Sequence, residues 1–152
     1  MSQELSPAAR DHIYGVITTG PFSAHVGMSV DEAVVDRVVI RMRDAPHTMN
    51  GLGIVHGGAI ATLIDTAATA AAWATPDVKP TTRGTTVALT INYISAGRPG
   101  DLIAEGRVIG RGGTLTVVEV IARDGGGGMV AKAQVTYKLD LARDRRIENA
   151  DR

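Results

Sequence analysis

A chain of 152 residues is long enough to bury one hydrophobic core and too short for a second domain. Its 16 basic and 16 acidic residues cancel with no long block of either sign, which excludes an electrostatic footprint for nucleic acid or an anionic membrane and leaves a small molecule as the expected partner. The absence of cysteine excludes disulfides, thiolate nucleophiles and thiolate metal sites, and agrees with a reducing compartment, the cytoplasm by default.

The opening MSQELSPAARDH carries charges where a signal peptide needs an apolar stretch, so export by that route is not expected. Ser6 before Pro7 marks a helix start, since a hydroxyl caps free N–H groups and proline suits the first turn. The helix, over about residues 6–19, ends at Gly20-Pro21. Val26–Val30 and Val34–Met42 read as half-buried strands. Residues 44–55, with proline and glycines, form a loop leading to a helix that begins near His56. The apolar run from Gly57 to Ala74 is interrupted by Asp65 and too weak to span a bilayer, so it reads as a buried helix.

Beyond Thr75-Pro76 the period becomes two, predicting strands at Thr86–Ser95, Leu102–Ile109, Leu115–Ala122 and Met129–Leu139. Arg98-Pro99-Gly100, Arg111-Gly112-Gly113 and Asp124 with its following glycines separate them, all hairpin chemistry, so an antiparallel meander is expected. Gly125–Gly128 lack the lysine of a phosphate loop and read as a flexible turn. The segment Ala142–Arg152 is charged and poor in apolar residues, a solvated tail after a core of about residues 20–139 in one domain spanning 1–152.

The segment IATLIDTAATAAAWA is apolar or small on every face of a helix, so it must be surrounded by protein, most economically by an antiparallel sheet. Asp65 is its lone charge. Such a carboxylate has either a structural partner, here Thr62, Thr66 or Thr69, or a chemical task as general base or nucleophile. His56-Gly57-Gly58 opens the helix, where N–H groups without intrahelical acceptors sit at the positive end of the dipole and form a ready oxyanion hole. Nine residues separate His56 from Asp65, which places them about 180° apart and roughly 13.5 Å along the axis. If both act on one substrate, a second subunit must supply one of them.

Asn50-Gly51-Leu52-Gly53-Ile54-Val55-His56-Gly57-Gly58, then Thr62-Leu63-Ile64-Asp65, then TVALTINY over Thr86–Tyr93, resemble the PaaI-like hotdog thioesterases from about Gly20 to Leu139. The resemblance implies an α+β hotdog fold: a long central helix wrapped by a curved antiparallel sheet of about six strands, with a short N-terminal helix. Subunits would join edge to edge as dimers that pair into tetramers. It implies hydrolysis of an acyl-CoA thioester, with Asp65 activating water or attacking directly and Thr86 positioning the water. The Gly57 N–H would polarise the carbonyl, and Asn50 and His56 would come from the opposite subunit. It also sets coenzyme A along Tyr93, Ser95, Ala96, Gly97 and Arg98 and beside Arg111, Gly112, Gly113 and Thr114. Asn50 alone reads equally well as a turn residue before Gly51.

His12, His25 and His47 show no ligand spacing, so no metal is expected, and no cofactor apart from the coenzyme A of the substrate. A hotdog hydratase or dehydratase acting on acyl-CoA is the nearest rival, using carboxylate and histidine for proton transfer. A non-catalytic acyl-CoA binding module is a second, disfavoured because a helix carboxylate without a task is costly.

Overall fold

The computed structural model describes residues 4–141. Ser6 caps α1 (Pro7–His12), its hydroxyl oxygen accepting the Ala9 N–H at 3.1 Å while its own proton goes to the Val78 carbonyl. The helix then widens into a π turn, Ile13–Ile17, before the proline that starts a second short helix, α2 (Pro21–His25). That helix is absent from the sequence reading, because a run of five residues carries too little periodicity to register.

Strands β1 (Met28–Val34) and β2 (Arg37–Met42) form a hairpin closed by Asp36 at φ 63°. The expected strand from Val34 therefore begins three residues late, since Val35-Asp36 is the turn and aspartate tolerates a left-handed backbone despite its apolar neighbours. A 3-10 turn (Pro46–Thr48) and the isolated bridge Met49–Val55 carry the loop to α3 (Gly57–Trp73). Strands β3 (Arg83–Tyr93), β4 (Leu102–Arg111), β5 (Leu115–Arg123) and β6 (Met129–Asp140) complete one antiparallel sheet of order β1-β2-β4-β5-β6-β3.

This order corrects the four-strand meander. Strand β3 pairs with β6, not with β4, and Arg98-Pro99-Gly100 is a crossing connection instead of a hairpin turn. Only β4, β5 and β6 form the meander. The physical reason is α3: the helix covers the sheet between β2 and β3, and the chain leaves it at the far edge. Turn composition cannot reveal that displacement. The glycine run Gly125–Gly128 is clamped, because the buried Asp124 carboxylate accepts the N–H groups of Arg98, Gly126 and Gly128.

Helix α3 seats Ile60, Leu63, Ile64, Ala67, Ala68 and Ala71 on the sheet. The approach is close enough at β4 that a Cβ on Gly106 would lie 2.7 Å from the Ala67 carbonyl oxygen, so only glycine fits beneath the alanine stripe. The opposite stripe, Ala61, Thr62, Asp65, Thr66 and Thr69, remains half-buried. The helix is therefore not enclosed on every side by its own chain as expected, because a single sheet covers one face of a helix. Strand β3 is the most exposed of the six, an eleven-residue edge with Val87 57% and Tyr93 55% exposed. No helix is long and apolar enough to cross a membrane among the described residues. The expected solvated tail, 142–152, lies outside the described residues.

Candidate active site

The start of α3 is built around His56. Its ring Nδ1 accepts the Gly58 N–H at 2.8 Å, and its carbonyl accepts the N–H groups of Ala59 and Ile60. Of the first N–H groups of the helix, Gly57 alone meets no acceptor among the described residues. Because Nδ1 accepts, the ring proton is on Nε2, a donor on an exposed residue. Gly58 is required by this cap, since a Cβ there would stand 2.9 Å from Nδ1. The Tyr93 hydroxyl donates to the Gly57 carbonyl at 3.1 Å, tying the end of β3 to the helix start. That places Tyr93 beside the proposed oxyanion donor.

Asn50 sits in the preceding loop, where its Oδ1 accepts the N–H groups of Leu52 and Ile54. The turn reading is thus observed, and it leaves the side-chain NH2 as a donor toward the exterior.

Asp65 lies two and a half turns along α3, and its Oδ1 accepts the Thr86 hydroxyl at 2.7 Å. The helix threonines do not hold it: Thr62 donates to the Gly58 carbonyl and Thr66 to the Thr62 carbonyl. Thr86 and Tyr93 are seven positions apart, an odd spacing that in a regular strand would turn them to opposite faces. Both face α3, because a bulge between Thr86 and Ala88 inserts the extra residue. No sequence pattern announced the bulge.

Asp65 with Thr86, and His56 with Gly57 and Tyr93, form two groups about 12 Å apart along α3, eight residues at 1.5 Å each from Gly57 to Asp65. One chain does not bring them together. The remaining expected contacts divide the same way. Ser95, whose hydroxyl donates to the Met129 carbonyl, and Ala96, Gly97 and Arg98 follow the Tyr93 end. Gly112, Gly113 and Thr114 lie at the β4–β5 hairpin beside the end of β6, with the Thr114 carbonyl accepting the Leu139 N–H. Arg111 spends its guanidinium on Asp36 at 2.8 Å, on Thr116 and on the Ala71 and Ala72 carbonyls, closing the C-terminus of α3.

The sequence reading missed a third group. Trp73 Nε1 donates to the Tyr137 hydroxyl at 2.9 Å, and the Asp65 carboxylate lies near enough to add to the effect of burial, which pushes the Tyr137 hydroxyl above the usual tyrosine range. Inward alternation on β6 is the signal that could have found Tyr137. No group of three or more potential metal ligands occurs among the described residues.

The sequence pattern of the thioesterase superfamily matches residues 52–131, spanning the helix with Asp65 and the strands around it. The chain belongs to the thioesterase superfamily. A protein of Saccharolobus solfataricus, provisionally named an esterase, is 36% identical over 85 residues. The match covers 56% of this thioesterase-superfamily chain and 55% of that protein, so the chain spans little more than half of its length. A thioesterase family protein from Silicibacter pomeroyi shares the fold at TM-score 0.79 and 21% identity, over 86% of this chain and 97% of that one. A hypothetical thioesterase from Streptococcus pneumoniae, with coenzyme A, shares it at TM-score 0.68 and 23% identity, over 77% and 90%. These likenesses agree with the hotdog architecture: six curved antiparallel strands, a long helix and a short N-terminal one.

Proposed function

We propose that this chain hydrolyses acyl-CoA thioesters as a homodimer or tetramer, each site completed by residues of two subunits. The observation that carries the reading is the division of the site: a carboxylate held by Thr86, and at the other end of β3 a helix start whose Gly57 N–H has no acceptor. Pairing the exposed edge of β3 antiparallel with its own copy, about a two-fold axis near Thr90 once the bulge is counted, sets Thr86 opposite Tyr93 of the partner subunit. The axis unites each half-site with its complement. It also brings the Arg111–Thr114 hairpin to the side of Tyr93–Arg98 of the partner subunit, which supports a shared path for coenzyme A. The coenzyme A in the Streptococcus pneumoniae structure is in keeping with that ligand. The lack of cysteine accords with action in a reducing cytoplasm.

In the proposed reaction the thioester carbonyl accepts the Gly57 N–H of the partner subunit, where the helix dipole adds to the hydrogen bond. Asp65 takes a proton from water, whose oxygen forms the new bond to the carbonyl carbon, or the carboxylate adds directly and water cleaves the anhydride. Thr86 keeps Oδ1 oriented, leaving Oδ2 for the reaction. Collapse breaks the C–S bond; the departing thiolate accepts a hydrogen bond from His56 Nε2–H of the partner subunit and takes up the proton that Asp65 removed from water, relayed through solvent.

The test is thiol release from a panel of aryl- and alkyl-CoA thioesters, wild type against Asp65→Asn. We expect hydrolysis lowered about 100-fold or more in the variant, the scale of a lost general base or nucleophile. Turnover within a few-fold of wild type in the folded variant would overturn the mechanism. Hydration of an enoyl-CoA without thiol release would favour the hydratase.

A further inference from the structure

A cavity of about 470 Å³ lies between the N-terminal helical segment, the end of α3 and the first residues of β3. Its back wall is aromatic and fixed. Trp73 and Tyr137, each 4% exposed, are locked by their hydrogen bond, and the His12 ring stacks on Trp73 at 3.5 Å between centroids and 17° between planes. Gly84 keeps the floor open, since a Cβ there would come within 2.5 Å of the Tyr137 ring. The π turn begins directly after His12, and such widened turns gather at functional positions.

Tyr137, in the wall of the cavity, stands between it and Asp65. Thr86, which holds Asp65, is the cross-strand partner of Tyr137 and lies two residues beyond Gly84 on the same face. At the mouth, Arg83 meets only the Pro80 and Thr82 carbonyls among the described residues, and no carboxylate. Arg83 and Asp11 both reach the rim, and burial and the neighbouring Arg83 hold His12 below the usual histidine range and so without charge near neutrality. The space has an apolar aromatic body, one residue removed from Asp65, and the Arg83 guanidinium at its mouth, three strand residues or roughly 10 Å from Thr86.

We propose that the cavity of His12, Trp73, Gly84 and Tyr137 receives the acyl group, and that Arg83 selects an acyl group ending in a carboxylate, the mono-thioester of a dicarboxylic acid. The inference rests on the thioesterase reading above and names its substrate class. A neutral alkyl chain would fill the aromatic part and leave the guanidinium unused. A carboxylate would gain a charge-assisted, bidentate hydrogen bond at the mouth.

Two measurements test it. In the first, adipyl-CoA and hexanoyl-CoA, equal in chain length, are compared by kcat/KM in wild type and Arg83→Gln. We expect adipyl-CoA to be preferred about tenfold or more by wild type and the ratio to fall to about one in the variant, the scale of one charge-assisted bond. Hydrolysis without preference, or a loss in Arg83→Gln equal for both substrates, would overturn the proposal, the latter assigning Arg83 to the coenzyme A portion. The second measurement does not depend on turnover. Trp73 is the lone tryptophan, so its emission reports the cavity. In Asp65→Asn, free adipate should change that emission saturably, hexanoate far more weakly, and adding Arg83→Gln should abolish the adipate response. No response to adipate would overturn the proposal even if thioesters are hydrolysed. A response in a protein that hydrolyses no thioester would support this pocket while refuting the function proposed above.

Discussion

Mixing two inactive variants should restore activity if each site is shared between chains. The parents are Asp65→Asn and the double variant Asn50→Ala, His56→Ala. Within one chain His56 and Asp65 sit on opposite faces of α3, about 13.5 Å apart along its axis. No side-chain rotation spans that separation. Random assembly of an equal mixture makes about half of the dimers mixed, and each mixed dimer holds one complete site and one doubly defective site. The expected recovery is therefore about one quarter of wild-type activity at equal total protein, against parents near one hundredth or less. The assay is thiol release after the variants are refolded together, with each parent refolded alone as control and mixed dimers quantified by a mass tag on one parent. Mixed dimers present without recovery would refute the shared site, and a parent retaining full activity would refute the assigned roles.

Leu89→Lys puts a charge at the centre of the exposed β3 edge and should yield a folded monomer without hydrolytic activity, read by sedimentation and circular dichroism. An active monomer would sink the interface. Gly58→Ala must displace the His56 ring, forfeiting a cap of about 1 kcal/mol while gaining a similar amount in helix propensity. Its Tm should stay within a few degrees of wild type while kcat falls about tenfold, and full activity would show that the ring position does not matter. Asp124 has its carboxyl held below the usual range, first by the Arg98 N–H and then by those of Gly128 and Gly126. Its folded value is depressed, so its stabilisation is present above the unfolded value of about 3.9 and is lost as pH falls through the folded one. Asp124→Asn should thus be less stable than wild type at pH 7, with the gap closing below about pH 4 in denaturant melts. A gap independent of pH would mean that the charge contributes nothing.

The sequence by itself determined the local vocabulary of this fold. Ser6 and Pro7 started a helix, and period-two apolar residues made β5 and β6. The lone carboxylate in an alanine-rich helix and the glycines after His56 marked both halves of the site, because burial of charge and free N–H groups are costs that a sequence displays locally. The resemblance joined Asn50 and Thr86 to them. Tertiary structure alone decided the rest. The crossing of α3 sent β3 to the far edge beside β6, since pairing of distant strands depends on which side of the sheet the helix covers. A one-residue bulge turned Thr86 and Tyr93 to the same face, a change with no compositional mark. The contacts of Trp73 with His12 and Tyr137 join residues more than sixty positions apart, and only the folded sheet sets those rings around one cavity.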